Sequence, residues 1–447
     1  MTKGGSMEPD RPPFILKPPP PSITFGSVAD APEGDERDGA ATTAPGQSAT
    51  FPVPSTPRRR ARWRVWALAG VLVVALATGG IAAWKTHTAN STSTCDSTIT
   101  GAITAVNYPL AVACDQNGIT TAGQYVDVGL IVRYNADGAK QWEAAYQGPN
   151  TDCNTFVGVA AVGDGGAIAT GFSSGDVNTV GVIVRYGADG TQQWQATYQG
   201  PSLNTYFRGV AATSDGGAIA AGDFTVDVDG NVGVIVRYSA DGTQQWQATY
   251  QGPNTDTYFY GVAATSDGGA IAAGSTYDDS SVGVIVRYSA DGTQQWEAAY
   301  QGPNPNTNFY GVAATSDGGA IATGYSGYAF GNSVGVIVRY SADGTQQWQA
   351  THQGPTPNTY IYGVAATSDG GANATGYSYD DSSAGVVVRY SADGAKQWDT
   401  TYQGPNKDSA FNSVAAVGDG GAITAGSSFD DGSVGVIVRY SADGKQA

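Results

Sequence analysis

The 447-residue sequence predicts an all-β protein, a seven-bladed β-propeller of four-stranded antiparallel blades, preceded by a disordered arm and one transmembrane helix. Three observations carry this. A unit recurs along the chain, marked by Trp142, Trp194, Trp246, Trp296, Trp348 and Trp398 at spacings of 52, 52, 50, 52 and 50 residues. The composition is rich in Gly (63) and Tyr (25) and only 14% charged, which suits short strands joined by tight turns rather than long helices. Residues 66–83 form an uncharged apolar run outside the repeats.

Residues 1–57 contain Pro18, Pro19, Pro20 and Pro21, many small polar residues and few large apolar ones. Such a segment buries too little surface to offset its ordering entropy, so it reads as a disordered, Pro-rich cytoplasmic arm. The proline run is either a polyproline ligand or a stiff spacer. Residues 58–85 read as a basic flank and a spanning helix. Eighteen residues lie near the lower limit for crossing a hydrocarbon core of ~30 Å. Arg58, Arg59, Arg60, Arg62 and Arg64 precede the run and Lys85 alone follows, so the N-terminus is expected inside and the repeats outside. Trp63, Trp66 and Trp84 bracket it as interfacial aromatics do. A cleaved signal peptide is the alternative, and the length of the preceding arm favours an uncleaved signal-anchor. Residues 86–97 read as a polar stalk.

The formal net charge of -17 is unevenly divided. Residues 1–89 hold ten basic and seven acidic groups (+3), and residues 90–447 hold twelve basic and thirty-two acidic groups (-20). An acidic ectodomain repels phosphate backbones, which argues against a nucleic-acid partner.

The remaining residues, 98–447, carry the repeat. In the fourth copy the strands are expected at 259–265, 270–275, 282–288 and 294–300, with glycine turns at Ser-Asp-Gly-Gly and Ser-Ala-Asp-Gly. The third strand, Val282-Gly-Val-Ile-Val, is apolar on consecutive residues, so both of its faces should be buried. Stacking copies face to face around an axis achieves that. Inner-hairpin aspartates fall at Asp164, Asp215, Asp267, Asp317, Asp369 and Asp419, and residues 110–123 form a degenerate seventh copy. Seven units of about 51 residues need about 357, and residues 91–447 supply 357. The last copy stops where its Trp-bearing fourth strand would begin. Residues 98–105 are therefore expected to complete that blade and remove an unpaired edge.

The succession of Asp-Gly-Gly hairpin, apolar strand ending in a basic residue, Ala-Asp-Gly hairpin and Trp resembles the bacterial cell-surface β-propeller repeat proteins. Copies in that family read D-G-G-x-I-x-A-G followed by V-K-x-D-x-x-G-x-x-x-W. The likeness covers residues 104–447 and implies the fold while naming no activity. Similarity to the Asp-box of sialidases and to the tryptophan repeat of quinoprotein propellers is fainter, and those functions are not carried over.

The copies also act as an internal alignment. Invariant positions serve the blade: the six Trp should pack between blades, and the position of Phe259 should be core. Seven arginines (Arg133, Arg185, Arg237, Arg287, Arg339, Arg389 and Arg439) should pair with the outer-turn aspartates typified by Asp241 and Asp291; a ring binding an anion is the alternative. Variable positions are free for other work. In the first copy, Tyr108, Asn107 and Pro109 are placed in the columns of Phe259, Tyr258 and Tyr260. The columns of Tyr258 and Tyr260, together with the loops between second and third strands, vary among copies and share one axial end. Tyr206, Tyr258, Tyr260, Tyr277, Asp278, Asp279, Tyr328, Tyr360, Tyr379, Asp380 and Asp381 are the resulting ligand-binding candidates. Tyr recurs in binding loops because it offers amphipathic contact area at low entropic cost.

No catalytic or metal-binding set emerges, and no cofactor is expected beyond a weak Ca²⁺ signal at Asp227, Asp229 and Asn231 or at the Asp-Asp loops. Of three cysteines, Cys95 and Cys114 are the preferred disulfide, leaving Cys153 free. The sequence thus reads as a membrane-anchored extracellular binding or adhesion module for protein or carbohydrate. A glycan hydrolase or lyase with an acidic mouth, or a passive envelope scaffold, are the alternatives.

Overall fold

The computed structural model describes residues 103–447 apart from 106–108, 116–117, 126, 136–137, 151, 202–203, 227–229, 253–255, 329–330, 405–407 and 430–432. The arm, the apolar segment 66–83 and the stalk lie outside the described residues. Among the described residues no helix is long and apolar enough to cross a membrane.

Seven four-stranded antiparallel sheets are present, as the sequence predicts. We number them as blades 1–7 along the chain and call their strands inner, second, third and outer. Blade 4 is typical: Asp256–Ala264, Ala270–Tyr277, Ser281–Tyr288 and Gln294–Tyr300. The inner strands of successive blades lie against one another and so surround the axis. The inner strand of blade 1 (Pro109–Asp115) meets that of blade 7 (Asp408–Ala416), where the Ser413 hydroxyl donates to the Val112 carbonyl. The ring is closed.

Its last blade is shared by both ends of the described chain. Ile103–Ala105 pairs antiparallel with the third strand Ser433–Tyr440, with Ile103 opposite Ile437 and Ala105 opposite Gly435. The chain's own fourth strand begins and stops at a single bridge between Tyr440 and Gln446.

The core lies between blades rather than within one sheet. Phe259 is fully buried; its ring packs against Gly233 of blade 3 so closely that a Cβ there would stand 2.9 Å away. Phe156, Phe207, Phe309, Ile361 and Phe411 repeat the burial. On the outside, each Trp locks onto the next blade: Trp246 Nε1 donates to the Ala290 carbonyl at 2.8 Å, and its ring lies under Gly292, whose φ is +85°. The other five Trp make the same bond to the following blade. They are structural.

The arginine pairing departs from expectation. Arg287 bonds Asp267 of the inner-hairpin turn at 2.6 Å, and its second nitrogen reaches the Gly318 carbonyl of blade 5 at 2.6 Å. Arg185, Arg237, Arg339, Arg389 and Arg439 likewise choose inner-turn aspartates, and Arg133 takes Asp115. The outer-turn aspartates are committed locally: Asp241 accepts from the Ser239 hydroxyl and from the Thr243 N–H two residues on. The inner-turn aspartates cap their own turns too, Asp267 Oδ1 accepting from the Thr265 hydroxyl and the Gly269 N–H, and their second oxygen, Oδ2, accepts from the arginine.

The first copy also differs. Its inner hairpin leaves four residues between the paired Cys114 and Ile119, whereas blade 4 has five between the equivalent Ala264 and Ala270. The shorter loop shifts the inner strand by one. Pro109, opposite Gly123, takes the column of Phe259, and Leu110 takes that of Tyr260; the alignment with Tyr108 and Pro109 is corrected accordingly.

Candidate functional site

Each inner strand carries a register shift just after its core residue. In blade 4 Phe259 faces Gly274 and Gly261 faces Ala273, so Tyr260 is an extra, unpaired residue. The same bulge sets Val157, Arg208, Tyr310, Tyr362 and Asn412 apart. A bulge re-aims one side chain and frees it from the ladder. Repeated on strands that converge at the axis, it gathers these residues at the end of the channel where the inner strands begin, which we call the mouth.

In blades 3–6 the mouth is filled by aromatic rings. Tyr260 and Tyr310 lie 4.7 Å apart between centroids, and Tyr310 and Tyr362 lie 4.9 Å apart. Tyr325 meets Tyr310 at 5.9 Å and Tyr360 at 4.8 Å, while Tyr377 meets Tyr360 at 5.2 Å and Tyr362 at 5.7 Å. Tyr258 contacts Tyr277 edge-on at 5.4 Å and Tyr206 packs against Phe172. Arg208 lies over Tyr206, Tyr258 and Tyr260 at 5.5, 5.9 and 5.3 Å from their centroids, and pairs with the buried Asp223. Polar groups tie blades together here: Asn231 donates to Asp256 at 3.0 Å and to the Tyr258 hydroxyl at 2.7 Å, and the Tyr277 hydroxyl donates to the Asn308 side chain.

Burial raises the hydroxyls of Tyr260, Tyr310 and Tyr362 well above their ordinary value, and pushes Tyr377 up to about 12. They remain protonated donors throughout the physiological range. Burial also raises the Asp223 carboxyl, against the opposing pull of the Arg208 guanidinium.

The structure thus brings together Tyr206, Tyr258, Tyr260, Tyr277 and Tyr360 among the sequence candidates. Tyr379 lies beside Tyr360 and Tyr377. Tyr328 is 57% exposed, and Asp278, Asp279, Asp380 and Asp381 are exposed on neighbouring loops, forming a rim rather than part of the cluster. Tyr310, Tyr362, Tyr325, Tyr377, Arg208 and Asp223 belong to the site and were not among the candidates. Tyr310, Tyr362 and Arg208 lie in the Tyr260 column. The others follow the conserved glycine of the second strand, a column reading Gln124, Phe172, Asp223, Ser275, Tyr325, Tyr377 and Ser427. Its variation among copies was the available signal.

Among the described residues no group of three His, Cys, Asp or Glu is arranged to hold a metal ion. Asp227 and Asp229 lie outside the described residues. Cys114 is disulfide-bonded and Cys153 carries a free thiol; Cys95, the expected partner of Cys114, lies outside the described residues.

The chain is similar to several solved propellers. The WD40 domain of a Toxoplasma gondii coronin is 10% identical, with 78% of this chain and 88% of that chain covered and a TM-score of 0.45. Sqt1 of Chaetomium thermophilum, solved bound to the N-terminus of a ribosomal protein, is 10% identical, with 74% and 96% covered and a TM-score of 0.42. No curated protein matches. The model of the family described as outer membrane protein assembly factor BamB matches residues 127–330 and again 231–437. These stretches together cover well over half of the sequence, and the chain belongs to the BamB family.

Proposed function

We propose that the protein is a binding module, held at the outer face of a membrane by residues 66–83, that receives a protein or carbohydrate ligand at the mouth of its propeller. The observation that carries this is asymmetry within a near-identical repeat. Blades 4–6 place a tyrosine at the bulge and blades 5 and 6 another at the second-strand position, where blade 3 holds Arg208 and Asp223 and blades 1, 2 and 7 hold Leu110, Val157, Asn412, Gln124, Phe172 and Ser427. Fold stability asks the same of every blade, so a difference confined to one sector of one end is free to serve recognition. Membership in a family named for an assembly factor supports a protein ligand, and the resemblance to bacterial surface repeats supports display outside the cell. Binding, rather than catalysis, suits a mouth built of tyrosines and one satisfied ion pair, because catalysis needs dissimilar groups converging on a reacting atom.

The test is a screen of the full chain against glycan and protein arrays, repeated with Tyr258→Leu/Tyr360→Leu and with Gln245→Ala at the opposite end. Ligand capture lost in the first variant and kept in the second is the expected result. Capture unaffected by the tyrosine changes removes the mouth as the site.

A further inference from the structure

We infer that the protein pairs with a second copy of itself, edge to edge, through the outer strands of blades 2, 3 and 5: Gln192–Tyr198, Gln244–Tyr250 and Gln346–His352. The contact uses none of the mouth residues and goes beyond the reading of the mouth. Among the described residues each of these strands stands at the end of its sheet, so one row of its backbone N–H and C=O groups has no strand beside it. Such a row is a template for another strand, and charge on the edge is one of the ordinary ways of blunting it.

Charge divides the outer strands into two sets. At the fourth position blades 1, 4 and 6 carry Glu143, Glu297 and Asp399, all exposed, and blades 1 and 6 add Lys140 and Lys396 at the first. Blades 2, 3 and 5 carry the exposed Gln195, Gln247 and Gln349 instead, with glutamine at the first position too. Blades 2 and 3 read Gln-Gln-Trp-Gln-Ala-Thr-Tyr without a charge, and blade 5 differs only in the buried His352 at its end. Residues 90–447 hold thirty-two acidic groups against twelve basic ones, so two copies repel over most of their surfaces. The neutral edges are where they can meet.

A second copy fits because the strand complements itself. Antiparallel pairing about a two-fold axis brings the same strand of each copy together. The register that pairs all seven residues sets Gln195 opposite its own counterpart, Trp194 opposite Ala196 and Gln193 opposite Thr197. One face then joins exposed amides and hydroxyls, and the other joins the half-buried Trp194 and Ala196. In that register Glu143, Glu297 and Asp399 would each face a like charge, which is destabilising. One such strand pair buries less than the ~1,200 Å² of a stable interface, so the association is weak and concentration-dependent. A second copy held at this edge is distinct from the ligand received at the mouth.

The test is sedimentation of the purified full chain in non-ionic detergent over a wide range of concentration. The wild type is expected to self-associate reversibly. Gln195→Glu/Gln247→Glu/Gln349→Glu, which installs the residue already present at this position in blades 1 and 4, should weaken association about fivefold. Gln195→Lys/Gln247→Lys/Gln349→Lys should weaken it too, and an equimolar mixture of the two variants should recover it, since opposite charges then face each other. Tyr258→Leu/Tyr360→Leu should leave it unchanged. A wild type that stays monomeric at every concentration overturns the inference. So does association indifferent to the glutamate variant, or a mixture that fails to recover it. Association lost in the tyrosine variant would place the contact at the mouth and overturn it as well.

Discussion

Arg208 and Asp223 pose the sharpest question at the residue scale. Their pairing puts a carboxylate with 2% side-chain exposure at the mouth, and a buried charge is tolerated only while its partner stays. Arg208→Met should therefore destabilise the fold by roughly 3 kcal/mol. Adding Asp223→Ser, with Arg208→Tyr in place of Met, reproduces the Tyr260/Ser275 combination of blade 4 and should recover most of the loss. Chemical denaturation of the three proteins checks both statements. His352 provides a second test. It replaces the buried outer-strand tyrosine typified by Tyr300, and burial lowers its pKa from 6.5, with Asp399 raising it and Lys396 lowering it. The folded state keeps the imidazole neutral, so the unfolded chain binds the extra proton. Stability is full above the ordinary value of about 6.5 and falls as pH drops through it towards the lower folded value. His352→Tyr should lose less thermal stability than the wild type between pH 7.5 and pH 5.

Elements were legible from the sequence where one physical requirement acts on every copy. The Trp and the glycine turns mark an outer hairpin because each ring must lie beneath the next blade's turn. Gly292 shows why no other residue fits: its φ is +85° and a Cβ would stand 2.8 Å from the Trp246 ring. Gly292→Ala should cost about 1–3 kcal/mol, read as a lowered melting temperature. What escaped the sequence was register. A one-residue shorter hairpin in blade 1 moved Pro109 and Leu110 by one column, and identical spacing of the surrounding motifs hid it. Arginine partners were misplaced for a related reason. Asp267 and Asp291 both lie close to Arg287 along the hairpins and both cap their own turns, so turn chemistry alone does not separate them. The site was half legible: the bulge column was visible as variation, whereas Tyr325 and Tyr377 sit inside a strand that otherwise reads as invariant core.

For the whole molecule, closure decides which faces exist. The outer edge of blade 7 is covered by Ile103–Ala105, and an uncovered third strand would offer its unpaired groups to another chain. Thr104→Pro/Ala105→Pro, at adjacent positions of which one must face the third strand, removes a ladder donor and should lower the melting temperature and promote concentration-dependent association, measured by light scattering. With the ring closed, the glycine turns of blades 2–7 lie at one end and the tyrosine crescent at the other. The claim that recognition happens at the mouth is tested most directly by placing a photoreactive phenylalanine at position 328 or 379, at the mouth, or at position 245 or 347, at the turn end. The account predicts the same cross-linked ligand from 328 and 379, abolished by Tyr362→Leu, and none from 245 or 347. Capture from the turn end, or from both ends alike, contradicts it.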